Sequence, residues 1–121
     1  MNLWNKLSPT SKGELQELEA LKLLQRAGLE LLSRNFRTRS GEIDLIMKDK
    51  DTLVFVEVRY RKSIHYGDGA DTVTRQKQQR LTKAAQAYLQ QHHYQGPCRF
   101  DVVALSSQHS PDWIKNAFEA E

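Results

Sequence analysis

A chain of 121 residues, 39% hydrophobic and 27% charged, is expected to fold as one domain over residues 1–121 with a core of its own. A net charge of +3 permits an anionic partner without demanding one. The single cysteine, Cys98, excludes an internal disulfide and fits a reducing compartment. The first residues lack the apolar core of a signal peptide and no run approaches a membrane span, so a cytoplasmic protein without a membrane partner is expected.

Residues 1–9 read as a loose arm ahead of a helix. Ser11 and Glu14 have capping-box spacing, Leu15, Leu18, Leu21 and Leu24 recur at helical steps, and Gly28 is a stop. Glu14 falls between Leu18 and Leu21 on the helical wheel, toward the buried side. It suits a capping role and a site role equally. Residues 29–36 read as a first strand, and Arg37 and Arg39 lead through Ser40-Gly41 into a hairpin.

That hairpin is the most informative stretch. Residues 42–47 and 53–60 are strand-like runs around Asp49-Lys50-Asp51-Thr52, which is turn chemistry. Each run holds a carboxylate among apolar residues, Asp44 in the first and Glu57 in the second, although a buried unpaired charge is costly. A two-residue loop, Lys50-Asp51, sets Asp44 opposite Glu57 and Glu42 opposite Arg59. Alternation then puts Glu42, Asp44, Glu57, Arg59 and Arg61 on one face. Facing Cβ atoms lie roughly 4.5–5.5 Å apart, and carboxylates that close repel unless a proton or a cation sits between them. One more loop residue would turn one of the two sets to the other face.

After a loop with two glycines at 62–71, a long helix is predicted over 72–92. Its apolar stripe is Leu81, Ala84, Ala85, Tyr88 and Leu89, and Arg75, Lys77, Arg80 and Lys83 make its first half basic. Gly96-Pro97 breaks the chain, and 99–106 reads as a buried strand. Ser110-Pro111-Asp112 opens a predicted terminal helix over 113–120. Short links make the first three strands an antiparallel meander, and the long helix is a crossover that lets the fourth strand lie parallel to a neighbour. The expected fold class is α/β, a mixed sheet flanked by helices.

Asp44 and Glu57 together make a hard, all-oxygen site suited to Mg²⁺ or Mn²⁺, and Arg59 is placed to hold a phosphate against it. The same residues also read as solvent-side ion pairs, Glu42 with Arg59 and Glu57 with Arg61. From Arg59 to Lys83 there are seven Lys or Arg against two Asp, a balance that suits a phosphodiester polymer but also a plainly solvated helix face. The histidines and the cysteine have no zinc spacing. Neither a phosphate-cradling glycine loop nor a Gly-x-Ser-x-Gly elbow occurs.

Taken in order, Gly41-Glu-Ile-Asp-Leu-Ile, Val54-Phe-Val-Glu-Val-Arg-Tyr-Arg, Lys77-x-x-Arg80-Leu and Arg99-Phe-Asp-Val-Val resemble the YraN family of small bacterial proteins. The resemblance runs from about residue 12 to 118. That family in turn resembles the PD-(D/E)XK nucleases, the restriction-endonuclease-like superfamily that includes archaeal Holliday-junction resolvases. The resemblance implies a three-layer restriction-endonuclease-like core, with Asp44 and Glu57 as ligands for Mg²⁺ or Mn²⁺. It implies Glu14 as the helix-borne acid and puts Arg59 at the usual lysine position. Arginine keeps its proton, so it can clamp phosphate but cannot act as a base. Ile43 stands where the superfamily has proline.

The expectation is therefore a nucleic-acid-binding protein and Mg²⁺-dependent endonuclease, acting on branched or structured DNA. Asp44, Glu57, Arg59 and Glu14 would do the chemistry, and Arg61, Gln76, Lys77 and Arg80 would hold the nucleic acid. DNA is favoured over RNA, and a homodimer is allowed. The alternatives are a catalytically silent DNA- or RNA-binding module on the same scaffold and a protein-interaction domain without nucleic acid.

Overall fold

The computed structural model describes residues 12–61 and 73–120. The expected arm at 1–9, the cap Ser11 and the loop at 62–71 lie outside the described residues. In chain order the elements are helix α1 (Lys12–Arg26), strands β1 (Glu30–Arg37), β2 (Glu42–Asp49) and β3 (Thr52–Arg61), helix α2 (Arg75–Gln91), and strands β4 (Cys98–Ser106) and β5 (Asp112–Phe118). The strands form one sheet in the order β1-β2-β3-β4-β5, antiparallel at every junction except the parallel β3–β4 pair. Helix α2 is the crossover that makes β4 parallel, as its length implied.

Alternation along the strands divides the apolar residues between two cores. On one face Ile46, Leu53, Phe55, Phe100 and Val102 pack with Leu81, Ala84, Ala85 and Tyr88 of α2. On the other, Leu45, Met47, Val54, Val56, Val103 and Leu105 pack with Ala20, Leu21 and Leu24 of α1. Helix on sheet on helix is the three-layer restriction-endonuclease-like core. Phe55 anchors the α2 face, with ring centroids 6.1 Å from Tyr88 and 5.5 Å from Phe100. No helix among the described residues is long and apolar enough to cross a membrane.

Helix α1 buries Leu21 and Leu24 of its expected stripe and packs Leu18 beside them, but not Leu15. Leu15 is 56% exposed, and the buried stripe is Ala20, Leu21 and Leu24. Leucines three apart throughout drift backward around a helix of 3.6 residues per turn, so Leu15 and Leu24 end on opposite sides.

The predicted terminal helix is instead strand β5, antiparallel to β4 through Val102↔Ile114, Val103↔Trp113 and Ala104↔Asp112. The cause is Asp101, which is 0% exposed. Its carboxylate accepts from Arg99 Nε (3.0 Å) and Nη2 (3.2 Å), from Trp113 Nε1 (2.9 Å) and from the Asn116 amide (2.9 Å). A buried carboxylate needs such donors, and an extended chain laid along β4 brings both the indole and the amide to it. The register shifts between Phe100 and Val102, and Asn116 takes a φ of +51° to aim its amide. Arg99 Nη2 also donates to Asp49 Oδ2 at 2.9 Å, which ties the hairpin end to β4.

Asp101→Ala would leave Arg99 and Trp113 without their acceptor. The expected cost is about 3–5 kcal/mol in urea denaturation.

Candidate functional site

Strands β2 and β3 pair regularly from Asp49↔Thr52 to Leu45↔Val56. This is the register of a two-residue loop, with Lys50 at the positive φ of 55° that short hairpin loops demand. Beyond Val56 the ladder stops. Asp44 stands at that fork, and its Oδ2 accepts a hydrogen bond from the Val58 amide at 2.8 Å. A side chain thus meets the first backbone donor past the end of the ladder.

Glu57 alternates with Phe55 onto the α2 side of the sheet, and Asp44 follows Ile43 at the point where the strands part, so that both carboxylates line one cleft. Glu57 is 5% exposed and hydrogen-bonded to Asp44. Lys77 Nζ, from the first turn of α2, lies 3.1 Å from Glu57 Oε1. Burial, and then the Asp44 charge, push Glu57 up to about 8 against the opposing pull of Lys77. Burial raises Asp44 as well, while the Val58 amide and the Glu57 hydrogen bond hold it down. Two carboxyls this close resist carrying two full charges at once, and Lys77 offsets part of what they carry.

A cleft of about 560 Å³ opens over this pair, between the β1–β2 turn and the first turns of α2. The Thr38 hydroxyl shapes the turn. It donates to the Gly41 carbonyl (3.1 Å) and accepts from the Ser40 and Gly41 amides (both 3.1 Å). Gly41 then backs onto α2, where an added Cβ would overlap the Arg80 carbonyl. Arg37, Arg39, Lys77 and Arg80 line the cleft above Glu42, Asp44 and Glu57.

Of the expected site residues, Asp44, Glu57, Lys77 and Arg80 meet in this cleft, whereas Arg59, Arg61, Gln76 and Glu14 are not among its lining residues. The strands part before Glu42 and Arg59 can face one another, and Glu42 pairs instead with Arg37 at 3.0 Å. The ion partner of Glu57 is Lys77 rather than Arg61.

One α1 carboxylate that feels Asp44 is Glu17, one turn beyond Glu14. Burial and then the Asp44 charge raise it, while the Arg34 charge and a hydrogen bond from Asn35 hold it down. Its Oε1 is buried with no hydrogen-bond partner among the described residues. The signal was present in sequence: Glu17 lies three and four residues before Ala20 and Leu21, on the stripe that is buried.

Residues 16–105 match the model described as Uncharacterised protein family UPF0102. The chain belongs to the UPF0102 family. This is the family resembled above under the name YraN. A UPF0102 protein of Pseudomonas putida F1 is 50% identical over 118 residues, 93% of this chain and 96% of its own. UPF0102 protein HEAR0176 of Herminiimonas arsenicoxydans is 50% identical over 108 residues, 89% of this chain and 86% of its own. One from Aeromonas hydrophila is 48% identical over 120 residues, covering 95% and 92%.

Among the described residues of this UPF0102 member, no three His, Cys, Asp or Glu side chains gather as a ready-made metal cage. Mg²⁺ and Mn²⁺ do not require one. Mg²⁺ commonly takes one or two carboxylates and fills its sphere with water and phosphate oxygens. The Asp44–Glu57 pair, with Glu57 buried and Asp44 half-buried, fits that donor set.

Two outcomes test the UPF0102 cleft as built. Gly41→Ala should destabilise the fold by about 1–3 kcal/mol through overlap with α2, read by urea denaturation. The second concerns pH. The Glu57 carboxyl lies above its ordinary value of 4.5, near 8, so the folded chain holds this proton more tightly than the unfolded one. The stability it contributes is full below pH 4.5 and is lost as pH rises through about 8. In EDTA the melting temperature should therefore fall across that window. Glu57→Gln should flatten the fall and melt above wild type at the alkaline end. A calorimetric profile unchanged by the substitution would place the titrating group elsewhere.

Proposed function

We propose that this protein binds nucleic acid and hydrolyses its phosphodiester bonds as a divalent-metal-dependent endonuclease, with branched or structured DNA as the substrate class. The observation that supports this most directly is the hydrogen-bonded Asp44–Glu57 pair in a cleft also lined by Arg37, Arg39, Lys77 and Arg80. Two carboxylates facing a polyanion repel it, so a site built this way for phosphate needs a cation.

When bound between Asp44 and Glu57, Mg²⁺ or Mn²⁺ would supply a water of lowered pKa and neutralise charge at the phosphate. The Val58 amide fixes the orientation of Asp44. Burial against Phe55 and α2 fixes Glu57. The rim cations hold the phosphate backbone, and Arg59, Arg61 and Gln76 extend that surface along β3 and α2. Arg59 acts as a charge clamp, since its guanidinium keeps its proton. Glu17 takes the part expected of Glu14, as the helix-borne acid beside Asp44.

A second reading, a binding module without cleavage, is favoured by one observation. Lys77 already lies 3.1 Å from Glu57 and offsets the charge of the carboxyl pair, so the scaffold can accept phosphate with no metal at all.

Metal-dependent cleavage separates the two. Asp44→Asn should abolish Mn²⁺-dependent cutting of a labelled branched DNA, while metal-free binding stays equal or tightens because one repelling charge is gone. Equal cutting by wild type and Asp44→Asn would overturn the site assignment. Binding should weaken with salt by roughly −0.9 in log–log slope per phosphate neutralised, and Arg80→Ala should flatten that slope.

A further inference from the structure

We infer that Lys77 is an exchangeable counter-ion, seated on Glu57 while no metal is bound and transferred to a backbone phosphate when a divalent cation takes that carboxylate. Metal and nucleic acid then bind cooperatively. The inference rests on the metal-dependent reading of Asp44 and Glu57.

The geometry has three parts. First, Lys77 Nζ sits 3.1 Å from Glu57 Oε1, and the lysine side chain is 39% exposed where the glutamate is 5% exposed. One partner is buried and fixed, and the other reaches solvent through the cleft. Secondly, the Lys77 backbone is held, because its amide donates to Thr74 Oγ1 at 3.1 Å in the N-cap of α2. The exchange therefore needs only side-chain rotation, which a flexible four-carbon stem allows and an arginine fork resists.

Thirdly, a displaced Lys77 has few places to go. Of the other carboxylates in the cleft, Asp44 would be held by the same cation, and Glu42 is paired with Arg37 at 3.0 Å. A substrate phosphate is the anion that remains. Arg80, one turn along α2, lines the same cleft. Because coupling free energy is reciprocal, phosphate that draws Lys77 away also frees Glu57 for metal.

The test titrates Mn²⁺ into the full chain by calorimetry, with and without a saturating four-way DNA junction, for wild type, Lys77→Gln and Lys77→Ala. Melting curves in EDTA confirm folding of each. Wild type should bind Mn²⁺ more tightly with DNA present, by roughly 5- to 150-fold, the usual range of coupling. Both variants should bind Mn²⁺ several-fold more tightly than wild type without DNA, and gain correspondingly less when DNA is added. Direct ligation of metal by phosphate leaves some coupling in all three proteins, so the decrease is what carries the inference. If the variants gain Mn²⁺ affinity equally with and without DNA, Lys77 acts as a fixed repelling charge and the exchange is wrong. If Mn²⁺ affinity is the same in variants and wild type under both conditions, it is wrong too. A wild type that binds DNA but no Mn²⁺ would overturn the metal reading itself, a separate failure.

Discussion

One hydrogen bond organises the site: the Val58 amide donates to the Asp44 carboxylate instead of to a neighbouring strand. It marks where two strand pairs diverge. On one side β1 and β2 stay paired as far as Arg37↔Glu42. On the other, β3 and β4 stay paired in parallel from Leu53↔Cys98 to Arg61↔Ser106. Only the seam between β2 and β3 opens. Glu57 therefore sits on a strand still held along its far edge, and Asp44 sits on one that has begun to leave. The cleft is the space created by that divergence, and the Asp44 carboxylate satisfies a backbone donor that would otherwise lose its partner.

The two cores make this opening tolerable. Carboxylates held this close are a local cost to stability, a common property of sites kept for function. Against it stand the aromatic cluster of Phe36, Phe55, Tyr88 and Phe100 beneath α2 and the aliphatic layer beneath α1. Helix α2 is also held at its basic end, where Gly41 approaches the Arg80 carbonyl too closely for any side chain. That contact sets how far Lys77 stands from Glu57. The turn at 38–41 and the first turns of α2 meet at Gly41 and together line the cleft.

Much of this was legible in the residues themselves. A two-residue loop between Asp49 and Thr52 sets the hairpin register as far as Leu45↔Val56, which leaves Asp44 and Glu57 at the first positions past the ladder. What escaped the sequence was rotation and partner choice. Leucines at a constant spacing of three wind off the buried stripe by Leu15, so the place of Glu17 beside that stripe is not conspicuous in the leucine pattern. The order of residues does not show that strands part at Val56, so Glu42 was set against Arg59 rather than Arg37. The segment from Asp112 to Phe118 has a good helix start, but the donors demanded by Asp101 overrule it. No local pattern shows that Lys77 would reach across from another layer to Glu57.

The two outer strands share a feature that bears on how copies of the chain meet. Each carries a register shift, at Leu31/Ser33 in β1 and at Phe100/Val102 where β5 joins β4. Each also carries an asparagine in the left-handed region, Asn35 at φ 53° and Asn116 at φ 51°. An open sheet offers its rims as templates for a stranger's backbone, and straight, flat rims are the ones that seed aggregates. Here both rims are bent, and Arg34 on one and Lys115 on the other stand exposed beside the bend. A molecule whose strands must part in the middle to make a cleft thus has rims ill-suited to recruiting strands from its neighbours.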